Sequence, residues 1–346
     1  MKRSLPILLK YLAIVAVSCF LAFIISQTPA SAAAAADYAI PGVYKIESAV
    51  ATWRDNARNR DVPVRLYFPV TTATKIDAPK FPVILFSHGL GGNREGGKRW
   101  AEHWASHGYV VVAIQHPGSD ESLWKDAAIR DIASKMKAGM TLTNLGLRVG
   151  DVHFVIDEVI RRTNAGETGF AHAEPKRLGM SGHSFGAQTT LAVAGQKAGA
   201  IGGQSGLDLR VTAAIAFSPN ARNKKNMARQ FGDITLPFFS ITGSEDGSIL
   251  GDDTRPQDRR MPYDFMPAGQ KYLAVFDGGD HMVFGGHALG KRRPETARDV
   301  KIQEGVMAGT LAFWNAQLKQ DADAKKWLEQ GGYKATLGEK DVFENK

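Results

Sequence analysis

Short apolar runs rich in Val, Ile and Phe recur along the chain, with polar or amphipathic stretches between them. Near-continuous apolarity, in place of strict alternation, is typical of strands whose two faces are both covered, as in a parallel sheet. The pattern therefore predicts buried strands at 62–70, 81–89, 109–117, 177–184, 211–219, 236–244 and 271–279.

Three of the intervening stretches repeat apolar residues at helical spacing. They cover residues 147–163, 187–196 and 301–318, and the first places Val149 and Val152 on one face. This strand–helix rhythm predicts a doubly wound, mostly parallel sheet of about eight strands with helices on both faces.

Other stretches do not fit that rhythm. The first strands, within 43–70, are expected to be antiparallel and at the edge of the sheet. Residues 119–144 and 247–268 are expected to be insertions on the loop side of the sheet. Either insertion would form a wall or lid of a pocket, or a plain surface connection, and the sequence favours neither.

Residues 1–32 have the features of an export signal. Positive residues near the start precede an uncharged apolar run at 11–26, and the small residues at 30–32 suit cleavage. That run is short for a bilayer span, so an uncleaved anchor is the less favoured alternative. Cys19, the single cysteine, lies in this segment, and the mature chain is expected to lack disulfides. We therefore expect a periplasmic or secreted protein.

After the signal, the chain is expected to contain one domain. A flexible mature N-terminus at 33–42 would lead into a domain at 43–320, followed by a helical or polar tail at 321–346.

The net charge is +8, and the basic clusters at 222–229 and 290–295 are not interleaved with aromatic residues. We expect no nucleic-acid partner and membrane contact only through the signal segment. The oligomeric state is left open.

A serine between two glycines stands where a predicted strand gives way to a helix-forming stretch. The segment Gly182-His183-Ser184-Phe185-Gly186 matches a nucleophile elbow, in which small residues two before and two after the serine avoid backbone clashes. The following helix N-terminus would stabilise developing negative charge. This context predicts Ser184 as a nucleophile, whereas the short motif alone also arises by chance.

A serine hydroxyl needs a base, and the base needs an acid to orient it. His281 follows the last predicted strand and is the preferred base, with His287 as its rival. Asp246 follows the preceding strand and is the preferred acid, with the adjacent Glu245 as the alternative. The resulting order Ser, Asp, His is the order of α/β-hydrolases.

Attack on a carbonyl creates an oxyanion that backbone N–H groups must meet. The amide of Phe185, directly after the serine, is one expected donor. The glycine-rich loop after the 81–89 strand offers the amide of Leu90 as the second. Met282 and Phe284 are possible apolar lining residues near the site.

Three blocks, "FPVILFSHGLGG" (81–92), "WASHGYVVVAIQHPGSD" (104–120) and "GHSFGAQT" (182–189), resemble the type II platelet-activating-factor acetylhydrolases and their dienelactone-hydrolase-like bacterial relatives. The resemblance implies an α/β-hydrolase fold with Ser184 as nucleophile and His281 as base. It also implies the Leu90 and Phe185 amides as the oxyanion hole, and no metal or organic cofactor.

One position departs from that family. Its animal members take the acid from the loop after the strand equivalent to 213–217, where this chain has Ser218-Pro219-Asn220. The acid is therefore expected at Asp246, one strand-end loop later.

Further histidines are given structural roles. His103 and His107 have a spacing that zinc pairs use, but they fall at an expected helix end, so a structural role is favoured over a metal site. His88 and His116 are expected to fix loops by hydrogen bonds.

Together these features predict an exported serine carboxylesterase acting on a small-molecule or lipid ester, such as a short-acyl ester, a lipid fragment or a polyester. An acyltransferase with the same triad and a catalytically silent hydrolase-like binding protein are the alternatives.

Overall fold

Nine strands form one sheet in the spatial order β1-β2-β4-β3-β5-β6-β7-β8-β9 within the part of the chain that the structure describes. The structure is a computed structural model, and it describes residues 38–71, 79–197, 206–221, 225–248, 253–286 and 294–346. The strands are β1 Ile46–Asp55, β2 Arg60–Pro69, β3 Phe81–Ser87, β4 Val110–Ile114, β5 Ala173–His183, β6 Val211–Phe217, β7 Phe238–Glu245, β8 Lys271–Asp280 and β9 Val342–Asn345.

The centre of this sheet is parallel. Strands β4, β3, β5, β6, β7 and β8 pair in parallel, while β1–β2, β2–β4 and β8–β9 are antiparallel. Because the parallel strands run the same way, the loops after β3, β5, β6, β7 and β8 meet at one edge. That edge carries the predicted site residues.

Helices connect the strands and cover both faces of the sheet. They are α1 Lys98–Ser106, α2 Ile129–Gly139, α3 Leu142–Asn164, α4 Phe185–Val193, α5 Met227–Phe231, α6 Met261–Phe265, α7 Ala297–Leu318, α8 Ala322–Glu329 and α9 Gly332–Thr336. Short 3-10 helices occur at Glu121–Leu123, Pro256–Arg260 and Val283–Gly285.

Strand β3 shows why its apolar run is nearly continuous. Ile84 and Phe86 pack into a core cluster with residues of α1 and α7. Val83 and Leu85 point to the opposite face, where they share a cluster with residues of α3. Since successive side chains point to opposite faces, both sets must be apolar.

The predicted fold class is confirmed: the chain has the mostly parallel α/β architecture of an α/β-hydrolase. The sheet contains nine described strands where about eight were expected. The additional strand is β9, which is too short and too polar to stand out in the sequence. Strands β1 and β2 form the antiparallel edge, as expected.

The predicted boundary at residue 320 does not coincide with the end of the folded unit. The segment predicted as a tail contains α8, α9 and β9, and β9 pairs with β8. Its residues Trp327, Leu328, Tyr333 and Phe343 are buried in the cluster that contains α7. The C-terminal segment is therefore part of the core.

Residues 38–42 also contact the domain, although they belong to the segment expected to be flexible. The ring of Tyr38 lies 4.7 Å from that of Trp327, and the Gly42 amide donates to Ser106 Oγ at 2.8 Å.

The predicted signal at 1–32 and residues 33–37 lie outside the described residues. Within the described ranges, no helix combines the length and apolarity needed to cross a bilayer.

The aromatic cluster around β9 gives a stability prediction. Phe343 is 8% exposed, whereas its neighbour Val342 is 40% exposed, and the Phe343 ring lies 4.8 Å from that of Tyr333. Phe343→Ala should lower the free energy of unfolding by about 3 kcal/mol, because it leaves a cavity in the core. Val342→Ala, the matched control, should lower it by less than about 1 kcal/mol. Urea unfolding measures both, and equal small effects would show that the C-terminal strand is not integral to the fold.

Candidate active site

Ser184 stands at a sharp strand-to-helix turn. Strand β5 ends at His183 and α4 begins at Phe185, and Ser184 between them has φ 57° and ψ −113°. A positive φ is strained for a residue with a Cβ, and such strain is characteristic of functional turns. The turn places the Ser184 hydroxyl at the carboxyl edge of the sheet.

The two glycines of the motif are required by space. A Cβ at Gly186 would lie 1.9 Å from the Ser87 carbonyl oxygen, and one at Gly182 would lie 2.4 Å from the Gly186 carbonyl oxygen. Both obstacles are backbone atoms that cannot rotate away. The close packing of β3, β5 and α4 therefore explains the spacing that predicted the elbow.

His281 lies directly after β8 and between the other two predicted residues. Its Nε2 is 2.9 Å from Ser184 Oγ, and its Nδ1 is 2.7 Å from Asp246 Oδ1. An ionised carboxylate can only accept, so Nδ1 carries the hydrogen and Nε2 keeps a lone pair towards the serine. The alternative base, His287, lies outside the described residues.

Asp246 follows β7 and is fully buried, whereas the alternative acid Glu245 is exposed. The second oxygen of Asp246, Oδ2, accepts a hydrogen bond from Thr242 Oγ1 at 2.8 Å. The structure thus brings Ser184, His281 and Asp246 together from three strand ends.

The charge of Asp246 is held by its neighbours. Burial by itself would raise the pKa of this carboxyl, but the hydrogen bond from His281 and the charges of His281 and Arg259 outweigh burial. The pKa of Asp246 consequently lies below its ordinary value. The carboxylate is therefore available to orient the imidazole throughout the neutral range.

Arg259 is a part of the site that the sequence analysis missed. It is 4% exposed, and its Nε lies 3.0 Å from Asp246 Oδ1. Its Nη2 lies 3.1 Å from His281 Nδ1, and its Nη1 donates to the Ser218 carbonyl at 2.9 Å. One side chain therefore joins the ends of β6 and β7 and lies beside the imidazole that follows β8.

No spacing rule singles out Arg259, because it lies in the polar segment 247–268, which was expected to be a wall, a lid or a surface connection. That segment instead supplies a buried guanidinium behind the acid. The only signal in the sequence is that the segment is rich in arginine beside a strand-end loop.

The loop after β3 approaches the serine closely. A Cβ at Gly89 would lie 3.4 Å from Ser184 Cβ, so the residue before Leu90 packs against the serine side chain. Within the described ranges, the Leu90 amide has no hydrogen-bond acceptor. The Phe185 amide is at the first position of α4. The two expected oxyanion donors thus lie on the residue after Ser184 and on the loop that packs against it.

The two predicted lining residues differ in their surroundings. Met282 follows His281 and is 36% exposed. Phe284 is fully buried, and its ring lies 6.1 Å from that of Phe276 in the core. The assignment of Phe284 to the pocket lining is therefore corrected: the Val283–Gly285 turn directs this ring into the protein.

The insertion at 119–144 covers residues 88–92, which follow β3, contain the expected donor Leu90 and are named the oxyanion loop for that expectation. Trp124 Nε1 donates to the Gly91 carbonyl at 2.6 Å, and a Cβ at Gly91 would lie 2.6 Å from the Met136 methyl group. This insertion forms a wall next to the loop rather than a detached surface connection.

The remaining histidines make structural contacts. Nε2 of His103 and Nε2 of His107 each lie 2.9 Å from a backbone carbonyl, those of Tyr38 and Ile40. The two rings therefore hold the segment at 38–40 against α1. Among the residues described, no group of three His, Cys, Asp or Glu side chains has the arrangement of a metal site.

The arrangement is suited to nucleophilic chemistry. The hydroxyl of Ser184 faces an unprotonated imidazole nitrogen, and the imidazole is oriented by a buried carboxylate. The Phe185 amide follows the serine directly, and the loop that contains Leu90 packs against the serine through Gly89. These are the parts that acyl transfer through a serine requires.

Residues 58–143 match the family model described as platelet-activating factor acetylhydrolase, isoform II. The match covers β2, β3, β4, the oxyanion loop and the insertion that packs on it, and it confirms the resemblance inferred from the sequence. It ends before Ser184, so the site residues on β5, β7 and β8 stand on the geometry alone. No curated protein is similar enough in sequence to count as a match.

Proposed function

We propose that this protein is an exported serine carboxylesterase that cleaves esters through an acyl-enzyme. The observation that carries the proposal is the unbroken hydrogen-bond chain from Ser184 Oγ through His281 to Asp246. The matched family is named for an acetylhydrolase, and this name supports an enzyme that hydrolyses ester bonds.

In the first half-reaction, Ser184 Oγ attacks the ester carbonyl carbon while His281 Nε2 takes the hydroxyl proton. Asp246 accepts the Nδ1 hydrogen bond throughout and stabilises the imidazolium that forms. The negative carbonyl oxygen of the tetrahedral intermediate accepts hydrogen bonds from the Leu90 and Phe185 amides.

The intermediate collapses when the carbon–oxygen bond to the alcohol breaks and His281 donates its proton to that oxygen. The acyl group is then bound to Ser184. His281 next takes a proton from a water molecule, which attacks the acyl carbonyl and releases the carboxylic acid. This second half-reaction restores the serine hydroxyl.

The substrate class follows from the site and from the expected export signal. An enzyme released by cleavage after residue 32 would meet esters outside the cytoplasm, such as short-acyl esters, lipid fragments or polyesters. The bulky Trp124 and Met136 side chains beside the oxyanion loop provide an apolar wall that suits an uncharged acyl group.

Replacement of Ser184 tests its role as the nucleophile. Ser184→Ala should lower kcat for p-nitrophenyl acetate by at least about 10³-fold, because the nucleophile and base act as a unit. Its fold should be unchanged, since Ser184 Oγ makes a hydrogen bond only with His281 among the described residues. A Ser184→Ala enzyme with near wild-type turnover and a normal circular dichroism spectrum would contradict the proposal.

Replacement of Arg259 should change the pH dependence of kcat/KM. Its charge helps to lower the pKa of Asp246, so Arg259→Gln should let that carboxyl protonate at higher pH. A protonated Asp246 no longer stabilises the imidazolium that forms during the attack, so the acidic limb of kcat/KM should move up by as much as about one pH unit.

Arg255→Gln is the matched control, because it removes the same charge from the same insertion. The Arg255 side chain is 61% exposed and pairs with Asp258, so its replacement should leave the pH profile unchanged. Profiles measured from pH 4 to 9 compare the two variants. Among the described residues, Asp246 and Arg259 are the charged groups in contact with the His281 imidazole. The ring of His183 lies 4.7 Å from that of His281. Identical profiles for Arg259→Gln and wild type would rule out this role.

A further inference from the structure

A second buried arginine lies on the other side of the serine, and nothing in the mechanism above uses it. Arg148 is in α3 and has no exposed surface. Removing a guanidinium from water costs several kcal/mol unless its hydrogen atoms find acceptors. An apolar side chain in that position would carry no such cost, so the partners of Arg148 show what the cation does.

Those partners are neutral groups of the loops around the oxyanion site. Its Nη1 donates to the His88 carbonyl at 2.7 Å, and its Nε donates to Ser119 Oγ at 2.8 Å. Its Nη2 is 3.4 Å from the Gly89 carbonyl oxygen. Within the described ranges, no carboxylate lies within salt-bridge distance of this guanidinium. Its charge is therefore solvated by neutral groups of the loops after β3 and β4, while Asp151 and Asp120 act on it at longer range.

The contact with Gly89 helps to set the direction of an expected oxyanion donor, the Leu90 amide. The Gly89 carbonyl and the Leu90 N–H belong to one trans peptide, so they point in opposite directions. The carbonyl also accepts from the Gly92 amide at 3.1 Å and from His88 Nδ1 at 2.5 Å. Three donors thus hold the oxygen on the buried side, which leaves the N–H directed away from Arg148.

The tautomer of His88 agrees with this arrangement. The His116 amide donates to His88 Nε2 at 3.1 Å, so Nε2 has the lone pair and Nδ1 carries the hydrogen. That hydrogen is then available to the Gly89 carbonyl. The histidine and the arginine act on the same oxygen.

Arg148 also contacts the second donor residue. Its guanidinium carbon lies 4.4 Å from the centre of the Phe185 ring, and that ring is buried. A cation over an aromatic face is an attractive contact. The ring of the residue that carries the other expected oxyanion amide is therefore anchored by the same side chain.

We propose that Arg148 is a positioning residue for the oxyanion hole: one buried guanidinium orients the peptide that carries the Leu90 amide and anchors the ring of Phe185. This inference rests on the proposed function and adds a residue to its machinery. The cation also places a positive charge behind this loop. The carbonyl oxygen of the substrate would become negative on the other side of the loop. Burial lowers the pKa of Arg148 to about 9, so the group is charged at neutral pH.

The chain offers a control within the same buried network. Arg60 donates from Nε to Asp151 at 2.7 Å and from Nη2 to the Pro117 carbonyl at 2.7 Å. It has no hydrogen bond to residues 88–90 or to Phe185. Replacing Arg60, whose side chain is 15% exposed, therefore removes an arginine whose charge acts on Arg148 without touching the oxyanion loop directly.

The experiment compares Arg148→Met, Arg148→Lys and Arg60→Met with an ester and with the matching thionoester, whose carbonyl oxygen is replaced by sulfur. Sulfur is a weak hydrogen-bond acceptor, so an intact oxyanion hole favours the oxygen ester. Arg148→Met should lower kcat for the oxygen ester by about 10²-fold with KM changed less than about threefold. The oxygen-to-sulfur rate ratio should fall by about tenfold or more.

The control variants separate positioning from general damage. Arg60→Met should keep the wild-type oxygen-to-sulfur ratio even where it lowers the melting temperature. Arg148→Lys, which keeps the charge but loses the planar fork, should give a ratio between those of Arg148→Met and wild type. If Arg148→Met does not fold, a wild-type ratio in Arg148→Lys overturns the proposal and a reduced ratio supports it.

Failure of this inference is distinct from failure of the proposed function. An active Ser184→Ala enzyme would refute the serine mechanism itself. An inactive Ser184→Ala enzyme, together with an unchanged oxygen-to-sulfur ratio in folded Arg148→Met, would refute only the role of Arg148.

Discussion

The hydrogen bond between His281 and Asp246 is the interaction on which the rest of the site depends. At 2.7 Å and buried, it fixes the imidazole tautomer, so that the nitrogen facing Ser184 is the one able to take a proton. The bond exists because parallel strands β7 and β8 are neighbours and end at one edge of the sheet. The fold thus places His281 and Asp246 on adjacent loops.

Two buried arginines flank this arrangement on opposite sides. Arg259 lies behind Asp246, bridges the ends of β6 and β7 and lies beside the His281 ring, while Arg148 lies behind the loop with the Leu90 amide. Each cation donates to backbone carbonyls, which offset part of the cost of its burial. The site is therefore held between two fixed positive charges, an arrangement suited to a reaction that develops negative charge on an oxygen.

The central strands of the sheet and the proximity of Ser184 to His281 could be predicted from the sequence, because apolar runs and strand-end positions are local signals. The sequence was insufficient for both arginines, since buried cations have no periodicity or motif and are recognised only by what surrounds them. It also missed β9, a four-residue strand held by aromatic packing from distant segments. Phe284 was misplaced for a related reason: an aromatic residue near a strand end is equally compatible with a core or a pocket, and only packing decides.

Covalent labelling of the serine by a fluorophosphonate, followed by peptide mass spectrometry, tests the chain from Ser184 through His281 to Asp246 most directly. The label should be found on Ser184 of the wild-type protein. Labelling should be slowed by at least about 10²-fold in Asp246→Asn and should keep the wild-type rate in Glu245→Gln, whose side chain is exposed. A label on another residue, or slow labelling in Glu245→Gln but not in Asp246→Asn, would contradict this assignment.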